Sequence, residues 1–261
     1  MPHLLIASTL GNVGKSTIGA AVVRPRFGGQ ILSVETTNSG AERYGEVVKT
    51  YSAEYYSLYL SDLLMAHGSN TITDLGSSNF DQFLTETKEI GGLSYFDYVI
   101  VPTEPDKKTQ EDTITGLNLL FDAGLQPEQL RVVFNKVKPP LPKPGGSIEE
   151  QCVNIFTASD LNPGVRLNPR CYLPTLQLFG HLATFQLKWN EVTQDKTDYL
   201  SLLRQTIDQG MSTDRLKLAA RQMAQKWMAQ SEAIFDRLYQ ELDIGPALPK
   251  PQPAPSLTHS E

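Results

Sequence analysis

The chain has 261 residues, about 1.7 times the roughly 150 of a typical domain, which bounds it to one large domain with an appendage or two small ones. A hydrophobic fraction of 40% beside 19 glycines is ordinary for a soluble globular protein and excludes a disordered chain. Lys and Arg number 23 against 29 Asp and Glu, a net charge of -6, so a direct, charge-driven grip on DNA is not expected and DNA would be reached through a partner protein.

No apolar run approaches the roughly 18 residues of a transmembrane helix, and Met1-Pro2-His3 lacks the basic flank of a signal peptide, so the chain reads as cytoplasmic. Cys152 and Cys171 form no C-x-x-C, which argues against zinc and, in a reducing compartment, against a disulfide. His3, His67, His181 and His259 are scattered without ligand spacing, and no serine- or metallo-hydrolase motif is present.

In chain order, the first apolar run is Leu4 to Ala7, followed by Ser8-Thr9-Leu10-Gly11-Asn12-Val13-Gly14-Lys15-Ser16-Thr17 and a helical stretch, Ile18 to Val23. A strand, a glycine turn and a helix N-terminus gather backbone N–H groups and the positive end of a helix dipole at one point, which suits a phosphate. Lys15 would sit on the β and γ phosphates, Ser16 would offer a hydroxyl to Mg²⁺, and Thr17 would close the cradle from the first turn. The strict pattern G-x-x-x-x-G-K-[ST] needs glycine where Thr9 stands, so the surviving signal is G-x-x-G-K-S.

Further short runs follow at Gln30 to Val34, Thr71 to Thr73, Tyr98 to Val101 and Leu130 to Phe134, separated by helix-length segments. That alternation implies an α/β fold with a mostly parallel, doubly wound sheet and flanking crossover helices. Among five tyrosines between Tyr44 and Tyr59, Tyr56 and Tyr59 share helical spacing with Leu60, Leu63 and Leu64 and read as core; Tyr44, Tyr51 and Tyr55 are left over as a partner surface. Asp74 ends its strand with Gly76 two residues on, either as a metal-binding carboxylate or as a turn residue. Lys136, Lys138 and the Arg24-Pro25-Arg26 segment read as solvated faces. Pro139, Pro140, Pro142 and Pro144 mark a loop, and Pro246 to Pro255 an extended tail. Ala220, Met223, Trp227, Ile234, Leu238 and Leu242 recur at helical spacing, predicting one amphipathic helix over 213–243. The expected organisation is a nucleotide-binding domain over 1–190, a C-terminal helical extension over 191–244 and a proline-rich tail over 245–261.

Gly11-Asn12-Val13-Gly14-Lys15-Ser16-Thr17 resembles the deviant Walker A motif of the ParA/MinD family of P-loop ATPases, K-G-G-V-G-K-[ST]-T, with StbB-type proteins of plasmid stability and conjugation modules as the nearest look. Leu10 stands where the family has its signature lysine, and Asn12 replaces the second glycine. The resemblance implies ATP and Mg²⁺ as cofactors, with Gly11, Asn12, Val13, Gly14, Lys15, Ser16 and Thr17 around the phosphates and Ser16 and Asp74 at the metal. It places Glu35 and Thr37 on the segment that orients the attacking water; Thr37 stands where the family has an aspartate, so hydrolysis should be slow. It assigns Asn135, and more weakly Pro174, to the nucleotide base.

The function so implied is a Mg-ATP-dependent switch that positions plasmid DNA through protein partners, as a weak ATPase and a homodimer or homo-oligomer. The alternatives are a nucleotide-binding scaffold with little hydrolysis, and a small-molecule kinase or synthetase on the same loop. Lys138 occupies the position where a guanine-reading N-K-x-D segment needs an aspartate. ATP should therefore be bound in preference to GTP; equal competition by GTP in a binding assay would contradict this.

Overall fold

The computed structural model describes residues 1–35, 44, 48–66, 68–138, 146–158, 161–206 and 212–245. Thr37, the proline loop at 139–145 and the proline-rich tail from 246 onward lie outside the described residues. Seven strands form one sheet: β1 His3–Ile6, β2 Gln30–Val34, β3 Val48–Tyr51, β4 Thr71–Leu75, β5 Tyr98–Thr103, β6 Leu130–Val137 and β7 Tyr172–Pro174. Their order is β3-β2-β4-β1-β5-β6-β7 and every pairing is parallel. The five expected strands are all present, and β4, β5 and β6 run two or three residues past their apolar runs.

Successive strand residues point to opposite faces, and both faces are covered. Leu5, Ala7, Leu32, Val34, Val99 and Phe134 pack with the helices Tyr56–Met65, Phe80–Glu89 and Lys107–Asp122. Leu4, Ile6, Ile31, Ile72, Ile100 and Val133 pack on the opposite face, against the helix that follows β1 and against the C-terminal helices. Burying residues on two faces makes the central strands continuous apolar runs, which is why they are the strands the sequence displays most clearly.

The helix after β1 has α geometry at Lys15–Thr17 and Arg24–Phe27 and a π-helical stretch at Ile18–Val23 between them, with all six residues of that stretch buried. Edge strands β3 and β7 were not expected. In β3, Lys49 and Thr50 face solvent, so no apolar run marks it; β7 is three residues long and ends at a proline, as an edge strand can. The proposed tyrosine surface is corrected by these elements. Tyr51 is buried as the last residue of β3 and hydrogen-bonds Asp62, and Tyr44 packs edge-on against Phe179 and Trp189. Tyr55 alone of the three is largely exposed.

Thr213–Glu241 forms one helix, opened by Ser212, whose hydroxyl accepts from the Arg215 amide. Its buried stripe runs Ala220, Ala224, Met228, Ser231, Phe235 and Leu238, rotated from the expected one: Met223 is exposed, and Trp227 and Ile234 are only partly covered. Late acids along this helix oppose its own dipole, and the fold uses them elsewhere. Arg26, on the helix after β1, donates to Asp236 and Glu232 at 2.7 Å each and to the carbonyls of Ala21 and Val22, while its guanidinium lies 5.9 Å from the Phe235 ring centroid. Cys152 lies in the first core cluster and Cys171 in the second, where its thiol donates to the Glu241 carbonyl; burial pushes both thiols up to about 12. No helix among the described residues is long and apolar enough to cross a membrane.

Arg26 is itself mostly buried, whereas Glu232 and Asp236 are half exposed, so the fork is worth more than a surface pair and less than a fully desolvated one. Arg26→Ala should cost about 1–2 kcal/mol, and Arg26→Lys should recover little because an ammonium cannot fork between two carboxylates. The melting temperature should fall by about 2–4 °C for each kcal/mol. An unchanged melting temperature would contradict this anchoring role.

Candidate functional site

Chain order reverses around β1: β2 and β4 lie to one side of it, β5 to the other. In open parallel sheets a crevice opens at the carboxyl ends of the strands where the order reverses, and the loop after β1 occupies that place here. Ala7 is still held to the Ile100 carbonyl, and the Ser8 hydroxyl accepts from the Leu10 amide to start the turn. Asn12 adopts φ 60° and Gly14 φ 94°, both left-handed, before Ile18 bonds back to Gly14 and the helix begins. Asparagine tolerates that backbone better than most residues, so the loss of the second glycine at 12 leaves the loop shape intact.

Gly14 is required twice over. Its backbone is left-handed, and a Cβ there would stand 2.2 Å from the side-chain nitrogen of Asn135. The missing first glycine of the strict motif has a compensation across the site: Thr9 packs on the helix Lys107–Asp122 at Gly116, where a Cβ would stand 3.1 Å from the Thr9 methyl. The Thr9 hydroxyl also donates to the Asp112 carbonyl of that helix.

Lys15 is buried, and its ammonium donates to the Leu10 carbonyl at 2.7 Å, folding the side chain back over the loop. Burial lowers its pKa from 10.5, against the opposing pull of the Asp74 and Glu35 carboxylates. Asp74, opposite Ile6 of β1 near the end of β4, is also buried and accepts from the Ser16 hydroxyl at 2.8 Å. Burial pushes its carboxyl above 3.8, against the Ser16 hydrogen bond and the Lys15 charge. Glu35 follows β2, its amide held by the Tyr51 carbonyl, and its side chain runs beside Gly76. The fold thus brings Lys15, Ser16, Asp74 and Glu35 together; Thr37 is outside the described residues. Thr17 shares a 2.6 Å hydrogen bond with the hydroxyl of Tyr44.

Asn135 is buried with both ends of its amide engaged: the nitrogen donates to the Val13 carbonyl at 2.8 Å and the oxygen accepts from the Lys136 amide. It braces the phosphate loop from β6. Register between β6 and β7 shifts between Asn135 and Val137, and Lys136 there has φ 52°. Its ammonium reaches the Asn12 carbonyl at 2.9 Å and pairs with Glu104 at 2.7 Å. Lys136 and Glu104 therefore belong to the site, although sequence reasoning placed Lys136 on a solvated face; its only signal was adjacency to Asn135. Pro174 ends β7 opposite Val137, half-buried, and leads into the helix Gln177–Thr184.

The arrangement fits a magnesium-bound polyphosphate. A serine hydroxyl and a carboxylate are hard oxygen ligands of the kind Mg²⁺ takes alongside phosphate oxygens, and a buried ammonium beside a left-handed glycine loop suits the anion. No group of three or more His, Cys, Asp or Glu able to hold a metal occurs among the described residues.

No family model matches the chain, and no curated protein matches it. Solved structures do. The MinD cell division protein of Aquifex aeolicus is 13% identical, with 85% of this chain and 96% of that one covered, at a TM-score of 0.51. Apo McdA from Cyanothece is 12% identical over 86% of this chain and 99% of that one, at a TM-score of 0.49, and a ParA family ATPase from Chlorobium tepidum is 13% identical over 75% and 93%, at 0.46. With seven parallel strands ordered around a central β1 and a likeness that spans nearly the whole of MinD, this chain has the fold of the ParA/MinD-type P-loop ATPases.

Proposed function

We propose that the chain is a Mg²⁺-dependent, ATP-binding switch of ParA/MinD type with weak ATPase activity, cytoplasmic, which serves plasmid stability or conjugative transfer through a partner protein that binds plasmid DNA. The observation that supports it most is the meeting of buried Lys15 with the Ser16–Asp74 pair under a left-handed glycine turn. In this reading Gly11, Asn12, Val13 and Gly14 offer backbone N–H groups to the phosphates, and Lys15 swings from the Leu10 carbonyl onto the anion. Thr17 follows in the first turn. Ser16 and Asp74 hold the metal, which when bound neutralises charge on the phosphate oxygens. Glu35, beside Gly76, is the described carboxylate placed to orient a water, with Thr37 the second residue assigned to that task. Asn135, which braces the loop here, and more weakly Pro174 are the residues assigned to the nucleotide base.

Residues 1–190 carry the nucleotide chemistry in this proposal, and 191–244 belong to a helical extension on the face of the sheet that includes the phosphate-loop helix. Self-association on ATP would proceed without a lysine crossing between subunits, because Leu10 cannot hydrogen-bond a phosphate and would leave its charge unpaired. That same Leu10 favours a second reading, a scaffold that binds ATP without turning it over. A turnover assay with and without candidate partners separates the two.

Lys15→Ala should weaken Mg-ATP binding by at least about 100-fold, since a charge-assisted contact with phosphate is lost from a buried site. Unchanged affinity by calorimetry would overturn the site. The metal needs Asp74 ionised, and its pKa lies above 3.8, so protons compete earlier than at an ordinary aspartate. The Mg²⁺-dependent part of ATP affinity should therefore fall as pH is lowered, by protonation of Asp74 as well as of the terminal phosphate, and Asp74→Asn should retain only the phosphate's share of that fall. A Mg²⁺ dependence retained in full by Asp74→Asn would remove Asp74 from the metal.

A further inference from the structure

The helix Tyr56–Met65 lies over the edge strand β3, from which Lys49 and Tyr51 both donate to its Asp62. Of its seven large apolar side chains, Tyr56, Tyr59 and Leu63 are buried and Leu60 is partly covered by the core. The rest face water: Leu58 is 54% exposed, Leu64 39% and Met65 69%, and Tyr55, which leads into the helix, 62%. The helix beside it in the same layer, Phe80–Glu89, turns Asp81, Gln82, Thr85, Lys88 and Glu89 outward instead. A helix apolar on every side belongs in an interior, so this face lacks a covering layer.

Leu58, Ser61 and Met65, spaced i, i+3 and i+7, form one line down that face in the order large, small, large. Reversing the line leaves its order unchanged, which is what a twofold contact requires, since there residue i meets j and j meets i. A small residue at the centre lets two helix backbones approach while the large ones interdigitate on either side. Charge does not oppose such a meeting. Asp62 is the only charged residue of the helix, and Lys49 already neutralises it. The four exposed side chains present roughly 400 Å² of apolar surface, the size of the largest patch on an ordinary monomer. With a polar rim of similar extent, the face reaches the roughly 800 Å² per partner of a standard interface.

We propose that this face docks a second copy of the chain, the two Tyr56–Met65 helices lying antiparallel about a twofold axis near Ser61. Leu58 of each copy packs against Met65 of the other, with Tyr55 and Leu64 at the rim. The contact sits at the β3 edge of the sheet, with β2 and β4 between it and β1, so it forms with or without a nucleotide in the loop at 11–17. It stands independently of the nucleotide reading under Proposed function.

Sedimentation velocity on the full chain without nucleotide, over a concentration series up to about 100 µM, should show a reversible monomer–dimer equilibrium. Leu58→Glu or Met65→Glu, both at exposed positions, should weaken the dimer by about 30-fold or more, the cost of losing a central anchor. Leu58→Glu combined with Met65→Lys in one chain should restore it to within about tenfold, because each carboxylate then meets an ammonium across the axis, whereas Leu58→Glu with Met65→Glu should not. Ser61→Cys keeps the apolar surface whole, and decides the matter should the charged variants fail to fold. Under a mild oxidant it should give a covalent dimer, while Gln82→Cys on the neighbouring helix should not; Cys152 and Cys171 are buried and do not compete. A chain that stays monomeric throughout the series and is not cross-linked through Ser61→Cys overturns the proposal. So does a dimer that Leu58→Glu and Met65→Glu leave unchanged, or one that the Glu–Lys pair fails to restore. Binding of a monomeric chain to vesicles of anionic phospholipid, lost in Met65→Glu, would give the face to a membrane and overturn it as well.

Discussion

Two opposite charges, on Lys15 and Asp74, are drawn out of water at the carboxyl end of β1 and β4, with the Glu35 carboxylate close enough to act on the lysine. Their mutual attraction offsets this only in part: burial still lowers the lysine and raises the aspartate. Each ionised group therefore works against the fold at neutral pH, because the folded chain binds a proton to Asp74 more tightly, and to Lys15 less tightly, than the unfolded chain does. A polyanion and a divalent cation arriving together would give each charge its missing partner. The site is built to be completed, and the sheet order around β1 is what makes so confined a spot reachable from solvent.

The loop holds its shape through groups far from it in sequence. Asn135 ties Val13, Lys136 ties Asn12 and is itself fixed by Glu104, and Thr9 leans on Gly116. β5, β6 and the helix between them thus grip the loop from one side, while Ser16–Asp74 and the approach of Glu35 grip it from the other. Departures from the strict glycine pattern at 9 and 12 are tolerable because these braces, and a left-handed asparagine, do what glycine would do alone.

How much of this the sequence displays follows from where each signal resides. Strands buried on both faces are written as apolar runs and were legible; β3 and β7, at the edges, spend half their residues on solvent or end at proline, and were not. The long helix was legible in extent, but its buried stripe is rotated by part of a turn from the expected one, with small Ala224 and Ser231 rather than Met223 and Ile234 facing the helices it packs against. At the site, Gly14, Lys15, Ser16 and Asp74 carry local patterns. Lys136, Glu104, Gly116 and Tyr44 do not, because each acquires its place only when β5, β6 and the helix Gln177–Thr184 are packed.

The two cysteines sit on opposite faces of the sheet, Cys152 at the joint between the short helices Ile148–Gln151 and Val153–Phe156 and Cys171 under the last turn of the long helix, bonded to Glu241. With both thiols pushed far above neutral pH and shielded from reagents, alkylation must wait for the covering layer to lift. The molecule thereby carries two internal clocks, one per face. The rate at which Cys171 is modified times the departure of the C-terminal helix from the sheet, and Cys152 times the opening of the other layer, without any label being introduced.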